Sequence, residues 1–210
     1  MFIPTASSDH EAYSEAIKKH FSALGCMVDF LFLIKEQPPL DVIKNKIMSA
    51  DIIYVGGGNT LKMMNLWRRL GVDKLLIKAC NMGKIMCGLS AGSICWFNYG
   101  NSDSRKYNDP NADYIRVTAL GCVPAFNCPH YDTEPERKKS LKKMMKRTPG
   151  VAIAIDDCAA IQIYDDKYRV LSTKDSANCY KVFWHKGHFF EQIIPKVDDF
   201  LPLDNLLQKQ

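Results

Sequence analysis

Residues 88–92 read Gly-Leu-Ser-Ala-Gly and stand between a short apolar run and a second apolar stretch with helical character. This pattern is typical of a nucleophile elbow, in which a strand turns sharply into a helix with the nucleophile at the apex. The flanking glycines lack a Cβ atom and let the strand and the helix approach closely. Backbone N–H groups at a helix N-terminus favour developing negative charge. Ser90 is therefore the candidate nucleophile, and the alternative is a turn without chemistry.

A serine nucleophile needs a neighbouring base to take its proton and an acid to orient that base. His130 comes directly after a proline at the expected end of a short strand, although a lone histidine is often an ordinary surface or core residue. Asp156 and Asp157 follow another apolar run and are the first candidates for the acid. Asp103 and Asp109 remain alternatives, because they would restore the serine, acid, histidine order of α/β-hydrolases.

A glycine-rich loop, Gly-Gly-Gly-Asn-Thr at 56–60, follows the apolar run 51–55. It could be a flexible turn, or a phosphate-binding loop, although neither G-x-G-x-x-G nor a Lys-Ser/Thr pair is present. A third interpretation is an oxyanion hole, with one N–H group from this loop and one from Ala91. We favour the third, because glycine-bearing turns at the carboxyl ends of parallel strands open onto one edge. The loop residues Gly57, Gly58 and Asn59 are the candidate binding residues.

The elements that must position these residues alternate along the chain. Helices are predicted at 11–24, 40–48, 61–70, 72–82 and 134–146, the first capped by Ser7, Ser8 or Asp9. Strands are predicted at 1–6, 27–33, 51–55, 84–88, 151–155 and 180–184, with a hairpin over 158–172. This order predicts an α/β fold of three layers, with a mainly parallel central sheet and helices on both faces. The polar segment 99–113 is expected to be a surface loop, and 195–210 a loosely docked tail.

Length and composition limit the class of protein. The 210 residues suffice for one domain, expected to span 1–210. The net charge of +5 is concentrated in 137–147, which is weak evidence for nucleic acid, so none is expected as a partner. No apolar run reaches membrane-spanning length, and no signal peptide is recognised. The eight cysteines form no C-x-x-C pair, and His185 and His188 lack a third metal ligand. We therefore expect a cytoplasmic protein with free thiols, no metal, no cofactor and no membrane partner.

Five segments carry a resemblance to a known family when taken in chain order. They are Phe-Ile-Pro-Thr-Ala at 2–6, Val-Gly-Gly-Gly-Asn-Thr at 55–60, Gly-Leu-Ser-Ala-Gly at 88–92, Pro-His at 129–130 and Ile-Asp-Asp-Cys-Ala-Ala at 155–160. The chain resembles the peptidase E and cyanophycinase family along nearly all its length. The resemblance implies a serine hydrolase on a fold related to class I glutamine amidotransferases, acting on short peptides or isopeptide-like bonds.

The resemblance also assigns roles by position. It implies that Ser90 is the nucleophile, His130 the base, and Gly58 and Ala91 the oxyanion donors. Asp157 lies where the family usually has a glutamate, which implies a shorter carboxylate in the same role.

Two departures from the family pattern bear on these expectations. Members normally begin with one more strand and helix before the Ile-Pro-Thr-Ala stretch, so a gap in the sheet is expected if that strand is central. Aspartyl dipeptidases of the family read an acidic substrate residue with an arginine after the histidine. Glu134 stands near that place here, and Arg137 is the candidate substitute. A preference for an N-terminal aspartate is not supported.

The sequence therefore predicts a serine peptidase of the dipeptidase or exopeptidase kind, with a Ser-His-Asp triad and a small peptide as substrate. A homodimer is compatible with this prediction. One alternative is an esterase or amidase that uses the same triad. The other is a homologue that binds a small molecule or peptide and has lost turnover.

Overall fold

The computed structural model describes residues 1–209 of the chain. The strands are β1 (Phe2–Ile3), β2 (Ile52–Val55), β3 (Ile85–Gly88), β4 (Phe97–Ser102), β5 (Ile115–Thr118), β6 (Val123–Cys128), β7 (Ala152–Ile155), β8 (Ala159–Tyr164), β9 (Lys167–Ser172), β10 (Cys179–His185), β11 (His188–Ile193) and β12 (Leu201–Pro202). The α-helices are α1 (Glu11–Ala23), α2 (Leu40–Ser49), α3 (Thr60–Leu70), α4 (Val72–Asn81), α5 (Ala91–Ile94), α6 (Pro135–Met145) and α7 (Leu203–Leu207). Short 3₁₀ turns cover Thr5–Ser7 and Ser104–Tyr107.

Parallel pairs form the centre of the fold. β1, β2 and β3 make one parallel sheet in that order, and β4, β6 and β7 pair in parallel within a second sheet. The remaining strands pair in the antiparallel direction. β5, β10 and β11 extend the second sheet, and β8, β9 and β12 form a third. The predicted α/β class with a central sheet and packed helices is confirmed. Antiparallel pairing is more extensive than the sequence indicated.

The two helices predicted between β2 and β3 are present, and each buries an apolar face. Met63, Met64 and Trp67 of α3 and Leu76 of α4 are fully buried. Burial of such side chains is worth roughly 1.5–3 kcal/mol each and holds the helices against the sheet. α3 ends at Gly71, whose left-handed backbone (φ 73°) favours glycine. The packing of α3 and α4 therefore holds the connection between β2 and β3, the strand that leads to Ser90.

Two local expectations near the N-terminus are wrong. Residues 27–33 do not form a strand. Their neighbour β1 is only two residues long, and the pairing between them is a single parallel β-bridge from Phe2 to Phe30. Asp9 does not cap α1, since its carboxylate accepts hydrogen bonds from the N–H groups of Ile34 and Lys35. The side chain of His10 caps the helix instead.

The polar segment 99–113 is not wholly a surface loop. Two residues separate the end of the four-residue helix α5 from the start of β4, which runs to Ser102. Asn101 and Ser102 are fully buried, which polar residue types alone do not predict. Their side chains find partners inside the protein: Asn101 donates to the carbonyl of Arg137, and Ser102 shares a hydrogen bond with Ser104. Residues 99–102 therefore belong to an internal strand with hydrogen-bonded polar side chains, and the loop begins after them.

The C-terminal tail is docked. β12 pairs with β9, and Leu206 of α7 is fully buried in the main core. The ammonium group of Lys181 donates to the carbonyls of Asn205 and Gln208 at the end of α7. The expectation of a loose tail is wrong for the described residues, and Gln210 lies outside them.

Arg137 anchors α6 from inside the protein. Its side chain is only 2% exposed. The guanidinium donates to the carboxylate of Glu134 at 2.9 Å and to the carbonyl of Asn101 at 2.8 Å, and it stacks on the ring of Tyr114. Burial opposes ionisation of Glu134, but the Tyr114 hydroxyl and Arg137 outweigh it and lower the pKa of this carboxyl. The start of α6 is thereby tied to β4.

Within residues 1–209, no helix is both long and apolar enough to cross a lipid bilayer. The eight cysteines are free, as predicted, and Cys158 is the exposed one among them.

Leu206→Ala should lower the free energy of unfolding by about 3 kcal/mol, because it leaves a cavity in the core under α7. Urea denaturation followed by circular dichroism measures the change. Leu171→Ala serves as the control, since that side chain is 43% exposed and should change stability by roughly 0.5 kcal/mol or less. Equal effects of the two substitutions would contradict a docked tail.

Arg137→Met should destabilise the protein by about 3 kcal/mol at neutral pH, because it leaves the partly buried Glu134 carboxylate without its cation. The pKa of the Glu134 carboxyl is lower in the folded than in the unfolded state. Ionised Glu134 therefore stabilises the fold at a pH above its unfolded pKa, and this stabilisation is lost as the pH falls through its folded pKa. The stability gap between wild type and variant should therefore shrink below about pH 4. Urea midpoints at several pH values test this, and a gap that widens in acid would contradict it.

Candidate active site

The elbow places Ser90 in a strained backbone conformation between β3 and α5. Its φ and ψ are 53° and −116°, a region that residues with a side chain rarely occupy. The strain comes with close packing, because a Cβ atom on Gly92 would lie 2.0 Å from the carbonyl oxygen of Val55. A Cβ atom on Gly88 would lie 2.5 Å from the carbonyl oxygen of Gly92. Glycine is required at both positions for the serine to stand at this apex.

A chain of hydrogen bonds joins the serine to a histidine and a carboxylate. The Oγ atom of Ser90 lies 2.9 Å from Nε2 of His130, and Nδ1 of His130 lies 2.6 Å from Oδ1 of Asp157. An ionised carboxylate only accepts hydrogen bonds, so Nδ1 carries the proton toward Asp157. Nε2 is then free to accept the proton of the serine hydroxyl. The three residues come from the ends of β3, β6 and β7, which meet at one side of the fold.

Two further side chains fix the acid in place. Thr133 donates its hydroxyl to Oδ2 of Asp157 at 3.0 Å, and the backbone N–H of Asp157 donates to Asp132 at 2.8 Å. Burial opposes ionisation of Asp157, but the hydrogen bonds from His130 and Thr133 outweigh it and lower the pKa of this carboxyl. Asp157 is therefore ionised at neutral pH and can stabilise a positive charge on His130.

The other acids considered from the sequence lie elsewhere. Asp156 accepts a hydrogen bond from the N–H of Asn178, and burial raises the pKa of its carboxyl. Asp103 lies 3.9 Å from the guanidinium of Arg137. Asp109 accepts from a backbone N–H within its own turn. Among the described residues, Asp157 is thus the carboxylate that contacts the histidine.

The glycine loop lies against the nucleophile. A Cβ atom on Gly57 would lie 3.3 Å from Cβ of Ser90. The N–H of Gly57 is occupied, since it donates to the hydroxyl of Tyr13 at 3.3 Å. In the described part of the chain, the N–H groups of Gly58 and Ala91 donate to no other protein group. Gly58 has a φ of 135°, and any side chain there would collide with the carbonyl of Ala6.

Two of the candidate binding residues serve the scaffold. The side-chain oxygen of Asn59 caps α3 by accepting from the N–H of Lys62, and its amide group donates to the carbonyl of Ser104. Arg137 is buried, and its guanidinium is engaged with Glu134 and Asn101. Neither side chain is free to meet a substrate in this arrangement.

Three contacts of the site were not found from the sequence. Asp132 and Thr133 stand two and three residues after His130, and these polar residues so close to the histidine are a local signal of their role. Tyr13 lies on α1, far from the glycine loop in sequence, and no pattern in the chain indicates its contact with Gly57.

Ser90, His130 and Asp157 line one cleft of about 390 Å³. That volume is within the range of small-molecule sites. Within residues 1–209, no group of three histidine, cysteine or acidic side chains is placed to hold a metal ion.

Comparisons with known proteins agree on one family. Residues 1–171 match Peptidase family S51. The uncharacterized peptidase YgaJ of Bacillus subtilis (strain 168) is 33% identical over 196 residues, which cover 92% of this chain and 82% of YgaJ. A protein named Peptidase E from Streptomyces coelicolor is 25% identical over 175 residues, covering 79% of this chain and 68% of that protein.

A solved structure agrees with the sequence matches. The crystal structure of a candidate peptidase E protein from Listeria monocytogenes EGD-e has a TM-score of 0.65 and 29% identity, and it covers 83% of this chain and 85% of that chain. The resemblance inferred from the motifs is confirmed. The chain therefore belongs to peptidase family S51 and is a serine-type hydrolase of peptide bonds.

Proposed function

We propose that Ser90, His130 and Asp157 form the catalytic triad of a peptidase that acts on short peptides. The observation that carries this proposal is the continuous hydrogen-bond chain from Ser90 Oγ through both ring nitrogens of His130 to Asp157. A serine, a base within hydrogen-bond reach and an acid that orients the base are the parts that acyl transfer requires.

The geometry supports a two-stage reaction. Ser90 Oγ attacks the carbonyl carbon of the peptide bond while its proton passes to Nε2 of His130. The N–H groups of Gly58 and Ala91 hold the negative oxygen, the kind of contact that contributes roughly 10²–10³ in rate. His130 then protonates the leaving amine. A water molecule, deprotonated by the same nitrogen, attacks the acyl-enzyme, and the proton returns from Nε2 to Ser90 Oγ as the bond to the acyl group breaks. Asp157 fixes the tautomer throughout.

The proposed substrate is a short peptide, because the cleft of about 390 Å³ leaves room for a few residues beside the serine. A charge preference through Arg137 is not part of the proposal, since that guanidinium is buried against Glu134. The proposed mechanism uses protein groups and water alone.

Ser90→Ala should abolish hydrolysis of peptides and remove labelling by a fluorophosphonate, because both need the serine oxygen. His130→Ala should reduce labelling strongly, since the oxygen then loses its base. Mass spectrometry of the labelled protein locates the adduct. Circular dichroism of each variant serves as the folding control, and an adduct on another residue would contradict the assignment.

Asp157→Asn should lower kcat by roughly 10⁴-fold, because an amide no longer selects the tautomer with a proton on Nδ1. Asp156→Asn is the matched control, since its carboxylate accepts from Asn178 and does not contact His130. Steady-state hydrolysis of one peptide by both variants measures the difference. A larger loss in Asp156→Asn than in Asp157→Asn would refute the choice of acid.

A further inference from the structure

A second serine at the elbow connects the nucleophile to the strand that leads to the histidine. Ser93 lies on α5, three residues after Ser90. Its hydroxyl oxygen lies 2.9 Å from the backbone carbonyl oxygen of Ser90 and 2.9 Å from Oδ1 of Asn127 on β6. Asn127 stands three residues before His130. The hydroxyl of Ser93 therefore lies between the two elements that must place the nucleophile against its base.

One of these two contacts is an ordinary feature of helices. A serine hydroxyl often bonds to a carbonyl three or four residues earlier in the chain. Ser49 of α2 does this, since its hydroxyl donates to the carbonyl of Lys46 at 3.3 Å. The contact with Asn127 is of another kind, because it joins residues that are 34 positions apart. Ser93 thus connects α5 to a separate element of the fold.

The side chain of Asn127 has a donor to spare for this connection. Asn127 is fully buried, and within residues 1–209 its NH₂ group has no hydrogen-bond partner. A hydroxyl carries one proton and can donate to one acceptor at a time. With the amide turned so that the NH₂ group faces Ser93, Asn127 donates to the hydroxyl, and the hydroxyl donates to the Ser90 carbonyl. Both contacts are then hydrogen bonds at the same time.

The start of α5 does not depend on the hydroxyl of Ser93. The carbonyl of Ser90 also accepts from the N–H groups of Ser93 and Ile94, at 3.0 Å each. Removal of the hydroxyl therefore spares these bonds and breaks the connection to β6. The distance of 2.9 Å between Ser90 Oγ and His130 Nε2 depends on how α5 and β6 lie relative to each other. A displacement of about 1 Å at such a contact can cost roughly 100-fold in rate.

We propose that Ser93 and Asn127 are positioning residues that hold the Ser90 hydroxyl within hydrogen-bond reach of His130. This inference rests on the proposed triad. The two residues act through the Ser90 backbone and through β6, and the proton transfer from serine to histidine is the step that depends on them. The binding of substrate does not involve this bond, so the effect of losing it lies in kcat and not in KM.

The first experiment removes the hydroxyl. Ser93→Ala should lower kcat by about 10-fold, which corresponds to the loss of about one hydrogen bond, and should change KM by less than about twofold. The rate of fluorophosphonate labelling of Ser90 should fall by the same factor. Ser93→Thr keeps a hydroxyl and should restore most of both rates. Ser49→Ala is the matched control, because it removes a helix hydrogen bond of the same kind and should leave both rates unchanged.

The second experiment tests whether the two residues act through one contact. Asn127→Ala should lower kcat to a similar extent, and the double variant with Ser93→Ala should lose no more than about twofold beyond either single variant. Residues that act independently would multiply their effects instead. Thermal unfolding shows which variants are folded. The Ser93 variants test the proposal by themselves if the buried Asn127→Ala substitution prevents folding.

The outcomes separate this inference from the proposed function. Absence of both labelling and hydrolysis in the folded wild-type protein would overturn the triad and with it the positioning role. An active wild type whose kcat is equally unaffected by Ser93→Ala and by Ser49→Ala would overturn the positioning role and leave the triad intact. A higher KM with an unchanged kcat in Ser93→Ala would indicate a direct contact with substrate and would also overturn it.

Discussion

The close approach of α5 to β2 is the constraint on which the site depends. Gly92 lies so near the carbonyl of Val55 that a single methyl group would collide with it, and Ser90 takes up the sharp change of direction with a φ of 53°. Such a conformation costs of order 1–3 kcal/mol and persists only where its surroundings enforce it. Here the pairing of β3 with β2 and the burial of α3 and α4 do so. The glycine loop after β2 meets the serine as a direct result.

The histidine and the acid depend on a different set of interactions. His130 also has a positive φ, of 56°, and the turn that follows it supplies Asp132 and Thr133 to Asp157. The next helix, α6, is held by the buried Arg137, whose hydrogen bonds reach β4. A buried guanidinium is stabilised only when its donors are matched by acceptors. The polar strand β4 thus helps to hold α6, the helix that follows the turn after His130.

The sequence predicted most elements and the candidate triad because local patterns carry that information. Glycines around Ser90, a histidine at a strand end and carboxylates after an apolar run can each be recognised within a few residues. The polar strand β4 was missed because burial of Asn101 depends on a partner 36 residues away. Residues 27–33 are apolar enough for a strand, yet pairing depends on the length of β1. Tyr13 and the role of Arg137 are likewise properties of distant contacts, which no local pattern contains.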